Sequence, residues 1–115
     1  MPTAPYPSYA ELQRRELAAH RARALAAVRE AAALAAARGA RLVVFGSLAE
    51  GRFRRHSDLD LALEGPGEDL AELAVAIADA VVGHDIGVDV VRLDQAPPRL
   101  LARIREHGRD PAELE

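Results

Sequence analysis

Phe45-Gly46-Ser47 and Asp58-Leu59-Asp60, with ten residues between them, decide the fold of this chain. Residues 41–45 read Arg-Leu-Val-Val-Phe, a short β-branched apolar run that is typical of a central strand covered on both faces. From residue 58 onward, leucines alternate with Asp58, Asp60 and Ala62, which predicts a second strand with leucines on one face and both aspartates on the other. A Gly-Ser turn is therefore predicted between two strands, close to a pair of carboxylates.

A long helix is predicted before this stretch. Ser8 with Glu11 three residues later forms a capping-box pattern, and no Gly or Pro follows until Gly39, so the helix is expected over about 9–38. Its larger apolar residues are expected to form one packing stripe together with many alanines, namely Leu17, Leu25, Val28 and Leu34. This stripe suits the core of the domain and a docking surface for a partner equally well.

A helix, a third strand and a last helix are predicted after Asp60 and the second strand. The helix is expected over about 68–82, with an inward stripe of Leu70, Leu73, Ile77 and Val81. The third strand is predicted over Val88 to Leu93. Asp94 is predicted to cap the last helix, with Pro97 and Pro98 in its first turn and an apolar stripe of Leu100, Leu101 and Ile104.

The order of these elements predicts an α/β (α+β) domain, a small mixed β-sheet of three or more strands with covering helices. A chain of 115 residues suffices for one compact core. Prolines at positions 2, 5 and 7 predict a flexible arm over residues 1–7, and residues 8–115 are predicted to form a single domain.

Composition excludes several classes of function. The chain has no Cys, so it has neither disulfides nor a catalytic thiolate. A net charge of -3 argues against direct nucleic-acid binding and against a polybasic membrane anchor. No apolar run approaches the roughly 20 residues that span a bilayer. The sequence therefore predicts a soluble cytoplasmic protein without membrane contact.

The turn and the two aspartates form the candidate site. Gly46 and Ser47 can present backbone N–H groups and a hydroxyl to phosphate oxygens. Asp58 and Asp60, two residues apart on one strand, have Cα atoms about 7 Å apart, and their hard oxygen ligands favour Mg²⁺ or Mn²⁺. Asp89, a lone carboxylate in the third strand, is predicted to be a third metal ligand; the alternative is an exposed charge on a strand.

The nearby polar residues have simpler interpretations as well. Ser47 could cap the next helix, and Ser57 could make a local turn hydrogen bond instead of contacting nucleotide. The run Arg52-Phe-Arg-Arg-His56 could bind phosphate or RNA, or it could be a solvated loop. Arg52 and Ser57 are kept as candidate nucleotide-binding residues.

Phe45-Gly-Ser-Leu-Ala-Glu-Gly51 followed by Ser57-Asp-Leu-Asp-Leu61 resembles the signature of the nucleotidyltransferase superfamily that includes DNA polymerase β, which is G-S, ten residues, then D-x-D. The short chain further resembles the minimal nucleotidyltransferases (MNT), commonly encoded beside HEPN-domain ribonuclease toxins. The likeness covers roughly residues 40–93. It implies that Asp58, Asp60 and Asp89 hold the catalytic metals and that Gly46 and Ser47 bind the triphosphate.

The same resemblance implies an antitoxin that forms a hetero-oligomer with a HEPN toxin. Such a protein would transfer AMP, or another nucleoside monophosphate, from ATP to a tyrosine hydroxyl of the toxin in a Mg²⁺-dependent reaction. One departure bears on catalysis: many relatives read G-S-R-A-R-G, whereas this chain has Leu48 and Glu50 in place of the arginines. Arg52, Arg54 or Arg55 would have to compensate. The alternative is an antitoxin that neutralises its toxin by binding alone.

Overall fold

A computed structural model describes residues 6–66 and 69–114 of the chain. Most of the predicted arm, and residue 68 where the second helix was expected to begin, therefore lie outside the described residues. The elements follow the predicted order, with one short helix added after the first strand. They are α1 Tyr9–Ala37, β1 Arg41–Phe45, α2 Gly46–Ala49, β2 Leu59–Glu64, α3 Leu70–Val82, β3 Val88–Arg92 and α4 Pro98–His107. Short 3₁₀ helices cover Leu93–Gln95 and Pro111–Leu114.

The start and end of α1 confirm the local signals. The hydroxyl oxygen of Ser8 accepts a hydrogen bond from the N–H of Glu11 at 3.1 Å. Gly39 follows the helix with φ 71°, and its N–H donates to the carbonyl of Ala36. A residue with a side chain rarely adopts this backbone conformation, so the glycine ends the helix.

The packing stripe of α1 differs from the prediction. The prediction placed Leu17, Leu25 and Leu34 on it, but these three are only half-buried. The innermost residues are small: Ala24, Ala27, Val28, Ala31 and Ala35, each at most 2% exposed. Small side chains allow the helix to lie close against α3 and β1, which leaves the leucines at the margin of the contact.

The sheet is mixed, as predicted, with the strand order β1-β2-β3. β1 pairs antiparallel with β2, and β2 pairs parallel with β3. The prediction of β1 as a central strand was wrong: β2 is central and β1 lies at an edge. The apolar run of β1 is explained by helices on both faces and by Arg109, whose backbone exchanges hydrogen bonds of 2.8 and 2.9 Å with Val44.

The two faces of the sheet are covered by different helices. Leu59, Leu61 and Leu63 are fully buried in the cluster with α1 and α3. On the opposite face Ala62 is packed with Ile104 of α4 and, at the rim, Val91. The inward stripe predicted for α3 is confirmed, since its buried residues are Leu70, Leu73, Ile77 and Val81.

The segment before α4 corrects two further predictions. β3 ends at Arg92, and Leu93 begins a 3₁₀ helix. Asp94 does not cap α4, because its carboxylate binds the guanidinium of Arg92 with contacts of 2.7 and 3.2 Å. The helix begins at Pro98 after Pro97, and three residues separate Asp94 from that start. Among the described helices, none is long and apolar enough to cross a membrane.

Candidate functional site

Asp60 and Asp89 are direct neighbours on the central and outer strands. They are partners in the parallel register of β2 and β3, so their side chains lie on the same face of the sheet, on strands about 4.8 Å apart. Two residues further along both strands, the pair Ala62 and Val91 packs with α4. The carboxylates therefore lie on the α4 face of the sheet, two positions before that packed pair.

Asp60 is the more enclosed of the two. It is half-buried, whereas Asp89 is exposed. Burial, followed by the negative charges of Asp89 and Asp58, raises the pKa of the Asp60 carboxyl above its ordinary value. All three predicted metal-ligating carboxylates are thus close enough to act on one another electrostatically.

Asp58 lies beside the residue that precedes the third strand. It precedes β2 by one residue instead of lying within the strand, and the N–H of the next residue, Leu59, donates to the carbonyl of Gly87 at 2.8 Å. A Cβ atom added to Gly87 would lie 2.9 Å from Cγ of Asp58. Sequence reasoning missed Gly87, although a glycine directly before an apolar strand signals a close approach of another group.

Gly46 approaches Asp60 as closely as Gly87 approaches Asp58. Its φ is 71°, and a Cβ atom here would lie 2.9 Å from Cγ of Asp60 and would overlap its Oδ2. The register explains this contact, since Phe45, the last residue of β1, pairs with Asp60. Only a glycine can turn the chain beside this carboxylate, because both the backbone conformation and the space exclude a side chain.

Ser47 lies in the first turn of α2, where N–H groups have no partner within the helix. The N-cap of α2 is Phe45 and no side chain caps the helix, so Ser47 does not have the capping role; its phosphate contact stays a prediction. The hydroxyl of Ser57 is used locally, since it accepts from the N–H of Arg54 at 2.8 Å. The guanidinium of Arg52 lies 3.5 Å from a carboxylate oxygen of Glu50. Nucleotide binding by Ser57 and Arg52 stays a prediction.

Glu50 is neutralised by arginines instead of facing the site as a lone charge. The guanidinium of Arg103 on α4 contacts both of its carboxylate oxygens, at 3.0 to 3.3 Å. Burial acts to raise the pKa of the Glu50 carboxyl, but the hydrogen bonds and charges of Arg103 and Arg52 lower it below its ordinary value. These contacts tie the end of α2 to α4, and they reduce the negative charge that Glu50 would otherwise present beside the Gly-Ser turn.

The basic loop between the turn and Asp58 is partly paired as well. Arg55 binds Glu16 of α1 at 3.0 Å. A groove of about 550 Å³ beside Gly87 contains Arg23, Arg55 and His56, together with the carboxylates of Glu16 and Asp85. The charges in this groove are mixed, so it is not a purely cationic phosphate patch.

His20 is a second residue that sequence reasoning missed. It lies on α1, 37 positions before Ser57, and its Nε2 is 2.6 Å from the Ser57 carbonyl oxygen. A histidine within an alanine-rich helix was the available signal, but no spacing linked it to the aspartates.

The donor set suits a hard divalent cation. Burial and the charges of Asp89 and Asp58 raise the pKa of the Asp60 carboxyl, and a positive charge between the three carboxylates would stabilise them. As they stand, no three His, Asp or Glu side chains within residues 6–66 and 69–114 are arranged to hold a metal ion. Metal binding by Asp58, Asp60 and Asp89 therefore stays a prediction.

Comparisons with known proteins agree with this geometry. Residues 39–110 match the family model described as polymerase beta, nucleotidyltransferase. A solved structure described as that of a proposed minimal nucleotidyltransferase is 28% identical, covers 92% of this chain and 98% of its own, and has a TM-score of 0.53. No curated protein matches the chain.

A further solved structure, described as a toxin-antitoxin with AMP-PNP, is 31% identical with a TM-score of 0.48. The match covers 62% of this chain and 58% of that one, which is less than two thirds of its length. The family match, by contrast, spans more than half of the chain and includes the Gly-Ser turn and all three aspartates. This chain therefore belongs to the polymerase beta nucleotidyltransferase family.

Proposed function

We propose that this protein is a Mg²⁺-dependent nucleotidyltransferase that moves AMP from ATP to a hydroxyl group of a partner protein. The observation that carries the proposal is the pairing of Asp60 with Asp89 beside the Gly46 turn. It brings a set of hard carboxylate ligands next to backbone N–H groups suited to phosphate, which is the combination that phosphoryl transfer needs.

The chain's own groups have separate tasks in this reaction. Asp58, Asp60 and Asp89 would hold Mg²⁺ or Mn²⁺, which when bound neutralises triphosphate oxygens and favours in-line attack. The first-turn N–H groups of α2 and the Ser47 hydroxyl would bind phosphate oxygens. The guanidinium of Arg103 neutralises the carboxylate of Glu50 beside the turn.

The transfer itself balances without a further co-reactant. The acceptor hydroxyl oxygen forms a bond to the α-phosphorus of ATP, and the bond from that phosphorus to the bridging oxygen of the β-phosphate breaks. Pyrophosphate leaves with the bonding electrons, and the hydroxyl proton is released to water.

The acceptor in this proposal is a tyrosine of a HEPN toxin, and modification of that tyrosine makes the protein an antitoxin. The support is the resemblance of the motif and of the fold to minimal nucleotidyltransferases, which extends over 92% of the chain in one solved structure.

A transfer assay tests the proposal. The protein is incubated with Mg²⁺, ATP labelled at its α-phosphate and a HEPN toxin as the acceptor, and protein-bound label is measured. We expect labelling by the wild type and by Asp79→Asn, an exposed carboxylate of α3, but not by Asp60→Asn. Equal labelling by Asp60→Asn, or none by the wild type, contradicts the proposal.

A second candidate is an antitoxin that acts by binding alone. Leu48 and Glu50 replace two arginines of relatives, and the nearby Arg52 is engaged by Glu50. If binding suffices, a folded Asp58→Asn, Asp60→Asn double variant will protect cells from the toxin as well as the wild type does. Loss of protection by that variant excludes this candidate.

A further inference from the structure

His20 lies between α1 and the loop that leads to Asp58. It is 7% exposed and is the one buried polar residue in the part of the chain that the structure describes. Burial of an imidazole costs free energy unless its ring nitrogens find hydrogen-bond partners. The partners of His20 therefore decide what it contributes.

Both ring nitrogens of His20 are bonded. A guanidinium only donates, so Nδ1 accepts from Nη2 of Arg23 at 3.1 Å. The ring proton then lies on Nε2, which donates to the carbonyl oxygen of Ser57 at 2.6 Å. Phe53 stacks on the ring, with centroids 5.2 Å apart and planes 12° apart. These three contacts fix the place and the orientation of the imidazole.

The bonded carbonyl belongs to the peptide that joins Ser57 to Asp58. Because a peptide group is planar, holding this oxygen also fixes the backbone nitrogen of Asp58. On the other side of Asp58, the N–H of Leu59 is bonded to the carbonyl of Gly87. Asp58 lies just before β2. These two hydrogen bonds hold its backbone in place, as the hydrogen bonds between strands hold the backbone of Asp60.

We propose that His20 is a positioning residue for the metal site, and this proposal rests on the proposed function. Its hydrogen bond to Ser57 sets the backbone at Asp58 so that the carboxylate remains within reach of Asp60 and Asp89. His20 contacts no ligand itself. Groups that orient metal ligands typically contribute about 10- to 100-fold to metal affinity or activity.

The test measures metal binding without turnover. Mn²⁺ is titrated into each protein with a non-hydrolysable ATP analogue, and free Mn²⁺ is followed by electron paramagnetic resonance. His20→Phe keeps the ring stack on Phe53 but removes the donor, whereas His20→Gln restores an N–H at the position of Nε2. His84→Gln is the matched control, because His84 binds Glu30 instead of the loop.

We expect His20→Phe to weaken Mn²⁺ binding by about tenfold or more, His20→Gln to recover most of it, and His84→Gln to match the wild type. A purely structural His20 would lower the melting temperature but leave the affinity of the folded variant unchanged. Wild-type affinity in folded His20→Phe therefore overturns the inference.

Two further outcomes are also decisive. If His20→Phe does not fold, His20→Asn replaces it, because its shorter amide can still accept from Arg23 but does not reach the Ser57 carbonyl. Weaker Mn²⁺ binding by this variant supports the inference, and unchanged binding overturns it. No Mn²⁺ binding by the wild type contradicts the proposed function and the inference together, whereas equal binding by wild type and variants contradicts the inference alone.

Discussion

Asp60 of β2 lies directly beside Asp89 of β3, with both side chains on one face of the sheet. Among the described residues, neither carboxylate forms an ion pair with a basic side chain, in contrast to Glu50 and Asp94. Two neighbouring carboxylates of this kind disfavour each other's charge, and a divalent cation removes that penalty. The pairing is therefore expected to lower the stability of the metal-free protein.

Asp60→Asn should stabilise the metal-free protein at neutral pH. The pKa of the Asp60 carboxyl is higher in the folded protein than in the unfolded chain. The contribution of Asp60 to stability is therefore fully present below the unfolded pKa of about 3.9 and is lost as the pH rises through the folded pKa. Melting in a chelator should show a higher midpoint for Asp60→Asn at pH 7 than for the wild type, with the difference shrinking towards pH 4. An unchanged difference at both pH values contradicts this.

Gly46→Ala should abolish metal binding, whereas Gly51→Ala should preserve it. Both glycines have a positive φ, 71° and 75°, so each substitution carries a backbone penalty of about 1–2 kcal/mol. Only Gly46 faces Asp60, since a Cβ at Gly51 would have nothing within 4 Å. Mn²⁺ titration separates the two effects, and equal affinities would show that the carboxylate contact is unimportant.

Gly87→Ala should weaken metal binding with little loss of stability. The added Cβ would overlap the exposed Asp58 side chain, which can rotate away at low cost but then leaves its place beside Asp60. Gly87 has no positive φ, so no backbone penalty is expected. Thermal melting and Mn²⁺ titration of the same sample would test this, and a large fall in melting temperature without loss of affinity would contradict it.

Arg103→Met should raise the KM for ATP more than it lowers kcat. Without Arg103, the carboxylate of Glu50 is less neutralised and repels the triphosphate near the turn. The pKa of the Glu50 carboxyl is lower in the folded protein than in the unfolded chain. The contribution of Glu50 to stability is therefore present above the unfolded pKa of about 4.3 and is lost as the pH falls through the folded pKa. Arg99→Met, on the exposed first turn of α4, is the control. A pure kcat effect would contradict the electrostatic explanation.

Ala31→Leu should destabilise the protein, and Ala33→Leu should not. Ala31 is fully buried where α1 lies close to the rest of the core, so added methyl groups are expected to cost about 1–3 kcal/mol. Ala33 is exposed on the same helix. Urea denaturation measures both, and equal free energies of unfolding would show that the alanine face has room for larger side chains.

Local patterns were sufficient to predict the order of the strands and of the longer helices, but not α2 or the segment between β3 and α4. The bounds of β1, the inward residues of α3 and the cap at Ser8 depend on periodicity and hydrogen bonds within a few residues. The family match likewise covers the Gly-Ser turn and the aspartates that the sequence singled out. Their spacing along the chain is itself the signature.

The tertiary structure alone decided how these elements meet. The edge position of β1 and the pairing of Asp60 with Asp89 depend on strand order and register. The contacts of Glu50 with Arg103 and of His20 with Ser57 join residues 53 and 37 positions apart, which no local pattern encodes. Sequence by itself determined which carboxylates and which turn this protein carries. Docking of the helices and pairing of the strands brought these carboxylates and the turn together at one site, because only packing between distant segments can do so.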